Sequence, residues 1–172
     1  MENHSAMNDC SQKERSKKEV IFVCTGNSCR SQIAEAIVNA RLSSEWKAYS
    51  AGTQPANNVH TVAIEVLKEI GINHQGRTKT VGEFYNHEFD LVVTMCDAAA
   101  EKCPLWLGKG KRVHMGFPDP AKVTGDEETI MQAFRQVRDD IAKKSRTYSA
   151  STHPESRTFK PSILKRKGQH EY

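Results

Sequence analysis

Apolar and polar residues alternate in blocks along this chain, and the period inside each block predicts an element. Val20, Ile21, Phe22 and Val23 form an unbroken apolar run into Cys24, which predicts a buried strand over 19–23. Ile33, Ala34, Ile37, Val38 and Leu42 recur at helical spacing and predict a helix over 31–42. A short strand is predicted over 47–51, stopped by Gly52. Val62, Ala63, Val66, Leu67 and Ile70 predict a second helix over 61–70, with Gly71 as its C-terminal cap. A polar stretch then leads to a weak helical turn near 81–85. Residues 90–95 predict another buried strand, and 111–115 a short, weak one. Ile130, Phe134, Val137 and Ile141 form the stripe of a last helix that starts near Gly125, with Thr124 and Glu127 as a capping box, and ends about residue 144.

Strands that alternate with helices predict an α/β fold: a single domain with a four-stranded parallel sheet and helices on both faces. Loops that carry chemistry gather at the carboxyl ends of such strands. Cys24 follows the first strand, Cys96 the third and Asp119 the fourth, so the three are expected at one rim.

Composition refines the boundaries. The 172 residues are only 37% hydrophobic, and the polarity lies at the ends. Residues 1–18 read as a disordered lead, 19–144 as the domain, and 145–172 as a basic, disordered tail. That tail carries six Lys/Arg against two Asp/Glu, which accounts for the whole net charge of +4. Lys165, Arg166 and Lys167 read as a solvated charge run, so nucleic acid is not an expected partner. No run approaches the ~18 apolar residues of a membrane span, and no charged leader precedes an apolar run. A cytoplasmic monomer is expected, and five cysteines there argue for nucleophilic or redox chemistry over structural disulfides. Cys10, in the polar lead, reads as an incidental thiol.

The sharpest motif is Cys24-Thr25-Gly26-Asn27-Ser28-Cys29-Arg30-Ser31, between the first strand and the first helix. Loop amides and a helix N-terminus make a cradle for a tetrahedral oxyanion. Arg30 adds a bidentate fork. That field favours a thiolate at Cys24, hence a nucleophile. Gly26 permits the tight turn, Asn27 tolerates positive φ and braces the loop, and Ser31 offers its hydroxyl to the sulfur.

This loop resembles the C-x5-R-S loop of the low-molecular-weight protein tyrosine phosphatases, and more closely that of the thioredoxin-coupled arsenate reductases on the same fold. The resemblance spans roughly residues 19–144. It implies that Asp119, in Gly116-Phe117-Pro118-Asp119-Pro120, is the general acid. The two families part at Cys96 and Cys103. In the reductases two cysteines in this place resolve the arsenic adduct: Cys96 attacks Cys24, and Cys103 moves the disulfide away. Seven helical positions span ~10 Å along the axis, while a disulfide needs Cα atoms within ~7 Å, so the intervening segment has to bend or unwind. Ala98, Ala99 and Ala100 favour a helix in the reduced form.

The resemblance implies arsenate as substrate, phosphate as its analogue, thioredoxin as reductant, and no cofactor. The alternative is a phosphatase that hydrolyses phosphomonoesters through a Cys24 phosphoenzyme. Against it, Ala121, Lys122 and Val123 stand where those phosphatases usually carry tyrosines. A non-catalytic oxyanion-binding module is a third class, opposed by the intact Cys24, Arg30 and Asp119. For the thiols, two buried hydrophobes or a zinc site from Cys24, Cys29, Cys96 and Cys103 compete with the relay. Cys29 reads as loop packing, with a protective 24–29 disulfide as the other option. Some relatives bind potassium beside the loop. Asn27, Glu35 and Ser50 match three of the ligand positions, but Thr80 stands at the fourth, an aspartate in those relatives. Loss of that carboxylate argues against the ion; either the Lys79 ammonium takes its place, or Lys79 is solvated and Glu35 pairs elsewhere.

Overall fold

The unbroken apolar runs become the strands. In the computed structural model, which describes residues 17–103 and 110–151, these are β1 (Lys18–Cys24), β2 (Trp46–Gly52), β3 (Leu91–Thr94) and β4 (Lys111–His114). They pair in parallel in the order β2-β1-β3-β4. Cys10, the expected lead through residue 16, Pro104, and the tail beyond 151 with Lys165, Arg166 and Lys167 lie outside the described residues.

β1 is central and its side chains divide by parity. Val20, Phe22 and Cys24 join the apolar cluster built with α1 (Arg30–Arg41), α2 (Thr61–Glu69) and α4 (Glu127–Ser151). Ile21 and Val23 pack on the opposite side with Phe89, Val92 and Ala99, the last from α3 (Asp97–Lys102). Helices therefore cover both faces of a single α/β domain. Among the described residues, no helix is long and apolar enough to cross a membrane.

Gly71 ends α2 at φ +78°, the left-handed conformation that glycine adopts without strain. Its N–H meets the Lys68 carbonyl and that of Ile72 meets Leu67, which satisfies two orphan carbonyls. Two details of α4 differ from expectation. Its N-cap is Asp126, whose carboxylate accepts from Thr129 N at 2.8 Å and whose carbonyl takes Ile130 N; the Thr124–Glu127 box does not form. Gly125, at φ +149°, precedes this cap. At its other end α4 continues past residue 144 to Ser151. Tyr148, two turns beyond Ile141, packs on the apolar cluster and takes Lys111 Nζ over its ring at 5.6 Å.

The register sets the site. Cys24 pairs with Gly52, Val23 with Thr94, and Thr94 with His114. The carboxyl ends of all four strands thus share one rim.

Candidate active site

β1 delivers Cys24 to that rim, and the chain turns through Asn27, at φ +48°, into α1. Every carbonyl of residues 24–29 is drawn to the outside of the turn. Those of Cys24, Thr25, Gly26 and Ser28 accept from the amides of Thr53, Gln54, Ala56 and His60 at 2.8–3.1 Å. The Asn27 carbonyl accepts from Gln32 Nε2 at 3.1 Å and that of Cys29 from Ile33 N at 2.9 Å. In a trans peptide the N–H opposes the C=O, so outward carbonyls turn amides inward. Asn27 N shows this, donating to Cys24 Sγ at 3.1 Å. No side chain caps α1, so its first turn stays open to an anion.

The Cys24 sulfur lies 2.9 Å from Ser31 Oγ. Asn27 Nδ2 donates to that same oxygen at 2.8 Å, which leaves the serine proton for the sulfur. Arg30 is buried. Its NH1 donates to the Phe117 carbonyl at 3.1 Å and its NH2 to Asp119 Oδ2 at 3.0 Å. Its buried Nε has no partner, and a bound oxyanion would supply one. Asp119 also caps the short turn Pro120–Lys122, accepting from Ala121 N at 3.3 Å. This set can hold a tetrahedral oxyanion, attack it from sulfur, and pass a proton to a departing oxygen.

Cys29 is a different kind of thiol. Burial above all, with Asp119 and Cys24 nearby, pushes it up to about 12, against a Ser28 hydrogen bond and Arg30. It is a packing thiol at neutral pH. Cys96 caps the start of α3, with its sulfur 3.3 Å from Thr25 Oγ1. The residue next to Cys24 therefore touches the second thiol. Cys103 sits at the far end of α3, where Arg112 NH1 donates to its sulfur at 3.5 Å. Burial raises the Cys103 thiol, and Arg112 opposes that shift. All four described cysteines are free. Among the described residues no group of three or more His, Cys, Asp or Glu is placed to hold a metal ion, so the four-cysteine zinc alternative finds no converging ligands.

Behind the loop, Glu35 accepts the Ser50 hydroxyl and, at 3.0 Å, the Lys79 ammonium. Thr80 is engaged in its own capping box with Glu83. A cationic group of the chain itself thus occupies the neighbourhood in which some relatives were expected to bind potassium.

Sequence reasoning missed the segment 53–60 and Gln32. Backbone amides carry the first, which no side-chain pattern advertises; Gly52, where it leaves β2, was the one signal. Gln32 was visible only as a polar residue among the apolar positions of α1, and it is fully buried.

The sequence model of the family described as "Low molecular weight phosphotyrosine protein phosphatase" matches residues 19–158. An arsenate reductase of Halalkalibacterium halodurans is 45% identical over 134 residues, covering 77% of this chain and 96% of that one. The crystal structure of an arsenate reductase from Archaeoglobus fulgidus superposes with a TM-score of 0.57 at 31% identity, over 73% of this chain and 97% of the other. A thioredoxin-dependent arsenate reductase of Corynebacterium glutamicum gives 0.58 at 26% identity, over 78% and 63%.

Proposed function

We propose that this chain, which belongs to the low molecular weight phosphotyrosine protein phosphatase family, reduces arsenate to arsenite. The observation that carries this reading is Cys96, whose sulfur lies 3.3 Å from the hydroxyl of the residue adjoining Cys24. Hydrolysis by a phosphatase needs no second thiol there, unless one is kept for redox control. Similarity to the Halalkalibacterium enzyme over most of both chains supports the same reading.

The chemistry runs in three steps. The Cys24 thiolate attacks arsenic(V), and a hydroxyl group leaves as water with a proton from Asp119. Arg30 and the loop amides hold the remaining oxygens. Cys96, as thiolate, then attacks the Cys24 sulfur. The As–S bond breaks, its electron pair stays on arsenic, and arsenite leaves as a Cys24–Cys96 disulfide forms. Finally the Cys103 thiolate attacks Cys96 and frees Cys24, leaving Cys96–Cys103. For that last bond α3 has to unwind, since its ends lie ~10 Å apart along the helix axis. A dithiol protein such as thioredoxin restores the two thiols, a role supported by the Corynebacterium relative described as thioredoxin-dependent.

Phosphate and arsenate share shape and charge, so weak hydrolysis of a small aryl phosphate at Cys24 is expected beside reduction. The exposed Ala121, Lys122 and Val123 form no aromatic wall for a phosphotyrosine ring. The test is steady-state arsenate turnover with a purified thioredoxin system against a glutaredoxin one, together with Cys103→Ser. Turnover with thioredoxin, and a Cys103→Ser enzyme stalled after one turnover as Cys24–Cys96, is the expected result. No arsenite from either system, with aryl phosphatase intact, would refute the reductase reading. An arsenate-dependent Cys24–Cys29 bond would refute the relay.

A further inference from the structure

The hydrogen bonds behind Asn27 run in one direction. Asn27 Oδ1 accepts from the Lys79 backbone amide at 2.7 Å. A backbone N–H only donates, so this contact identifies the oxygen of the Asn27 amide and leaves Nδ2 facing Ser31. Gln32 is settled in the same way. Its Nε2 faces the backbone carbonyls of Asn27 and Arg77, at 3.1 and 2.8 Å, and Asn27 Oδ1 at 3.1 Å. Carbonyls only accept, so the nitrogen is there and Oε1 points the other way. That Oε1 lies 2.7 Å from His74 Nε2, which must therefore carry a proton and donate.

We propose that Gln32 and His74 are positioning residues for the Cys24 nucleophile: with Asn27 and Ser31 they form a one-way chain of donors that ends on the Cys24 sulfur. The chain reads His74 Nε2–H to Gln32 Oε1, Gln32 Nε2–H to Asn27 Oδ1, Asn27 Nδ2–H to Ser31 Oγ, and Ser31 O–H to Cys24 Sγ. Aligned bonds polarise one another, so each link strengthens the next toward the sulfur. Asn27, Ser31 and Gln32 are fully buried, where water does not compete for these groups. Gly76 keeps the outer link open: a Cβ there would overlap both Gln32 Oε1 and His74 Nε2. Burial lowers the His74 imidazole, Glu35 opposing and Lys79 assisting. The ring thus meets Gln32 as a neutral N–H donor.

The inference rests on Cys24 as the nucleophile of the proposed reaction, but its test needs no arsenate. Iodoacetamide alkylation of Cys24 is followed in the full chain, with tandem mass spectra separating Cys24 from Cys29. At the lower of two pH values, chosen on the rising limb of the parent's own rate–pH profile, Gln32→Met should slow alkylation about fivefold and His74→Leu roughly twofold, because polarisation fades with each link. His74→Gln, which offers a donor at the same reach, should match the parent. At the higher, on the plateau of that profile, all four proteins should converge. Equal slowing at both pH values means altered access, and overturns the proposal. So does a Gln32→Met rate equal to the parent's, or His74→Gln as slow as His74→Leu. Should Gln32→Met fail to fold, the two His74 variants decide the matter by the same criteria. Should the alkylation pattern hold while arsenate is not reduced, the donor chain stands and only the substrate reading falls.

Discussion

Gly52→Ala tests whether the oxyanion loop is built by its clamp. Gly52 has no positive φ, so alanine brings no backbone strain there. The obstacle is space: a Cβ would lie 2.6 Å from the Thr25 carbonyl oxygen and 3.0 Å from Asn27 N and Cβ. Overpacking of this kind costs ~1–3 kcal/mol. Relief requires Thr25 O and Asn27 to retreat, which stretches two bonds, Gln54 N to Thr25 O at 2.9 Å and Asn27 N to Cys24 Sγ at 3.1 Å. At ~0.5–1.5 kcal/mol each, their weakening brings the total to roughly 2–6 kcal/mol. For a domain of this size that is a fall in Tm of roughly 5–15 °C. A loop displaced by a fraction of an ångström also loses alignment, and hydrolysis of a small aryl phosphate should drop about tenfold to a hundredfold. Calorimetry and steady-state kinetics read the two quantities. A Tm within about 2 °C of the parent, with activity within about threefold, would refute the close-approach reasoning.

Two further outcomes follow from the groups behind the loop. Exchanging sodium for potassium should move Tm by less than about 1 °C, because Lys79 already neutralises Glu35, whereas Lys79→Met should become potassium-responsive; a strong potassium effect on the parent contradicts the lysine assignment. The pH dependence at His74 has a definite sign: burial holds the folded imidazole below its ordinary 6.5, so the unfolded state binds the proton first. Its contribution to stability is complete above that value and is lost as pH falls through the folded pKa; His74→Gln should therefore show a shallower fall in Tm between about pH 7.5 and about pH 5 than the parent, and equal slopes would refute the assignment.

What could be read from the sequence is what is local, or follows from the winding of the sheet. The Cys24–Ser31 loop was legible because each residue acts on neighbours within one turn, as the Asn27–Ser31–Cys24 contacts bear out. Asp119 was placed at the same rim by a topological rule, and the Thr94–His114 register and the Arg30–Asp119 contact agree with it. Contacts made at long range between backbone groups left no trace beyond Gly52. Segment 53–60 clamps the loop through amides that every residue but proline possesses. The extension of α4 past residue 144 was hidden for a related reason. Tyr148 looks like one aromatic residue in a polar tail until its partners, the apolar cluster and Lys111, are in place.

The two halves of the site differ in the same way. Binding an oxyanion on a nucleophilic sulfur takes eight consecutive residues and one aspartate, and a hydrolase could be built from these alone. Redox chemistry depends on which further sulfur can reach Cys24, which spacing leaves open. Three thiols besides Cys24 are described, and their surroundings distinguish them. Cys29, next to Arg30 in sequence, is buried and pushed up to about 12, and the proposed relay gives it no part. Cys96, far away in sequence, adjoins Cys24 through Thr25 because β1 and β3 are paired and Met95 N is bonded to the Val23 carbonyl at 2.8 Å. Cys103 lies at the far end of α3 beside Arg112, and in the proposed relay it acts only after that helix gives way. Six residues with a single buried side chain, Ala99, hold α3 in place. So short a helix with so little buried surface opens at small cost, which is the property the last step of the proposed relay requires.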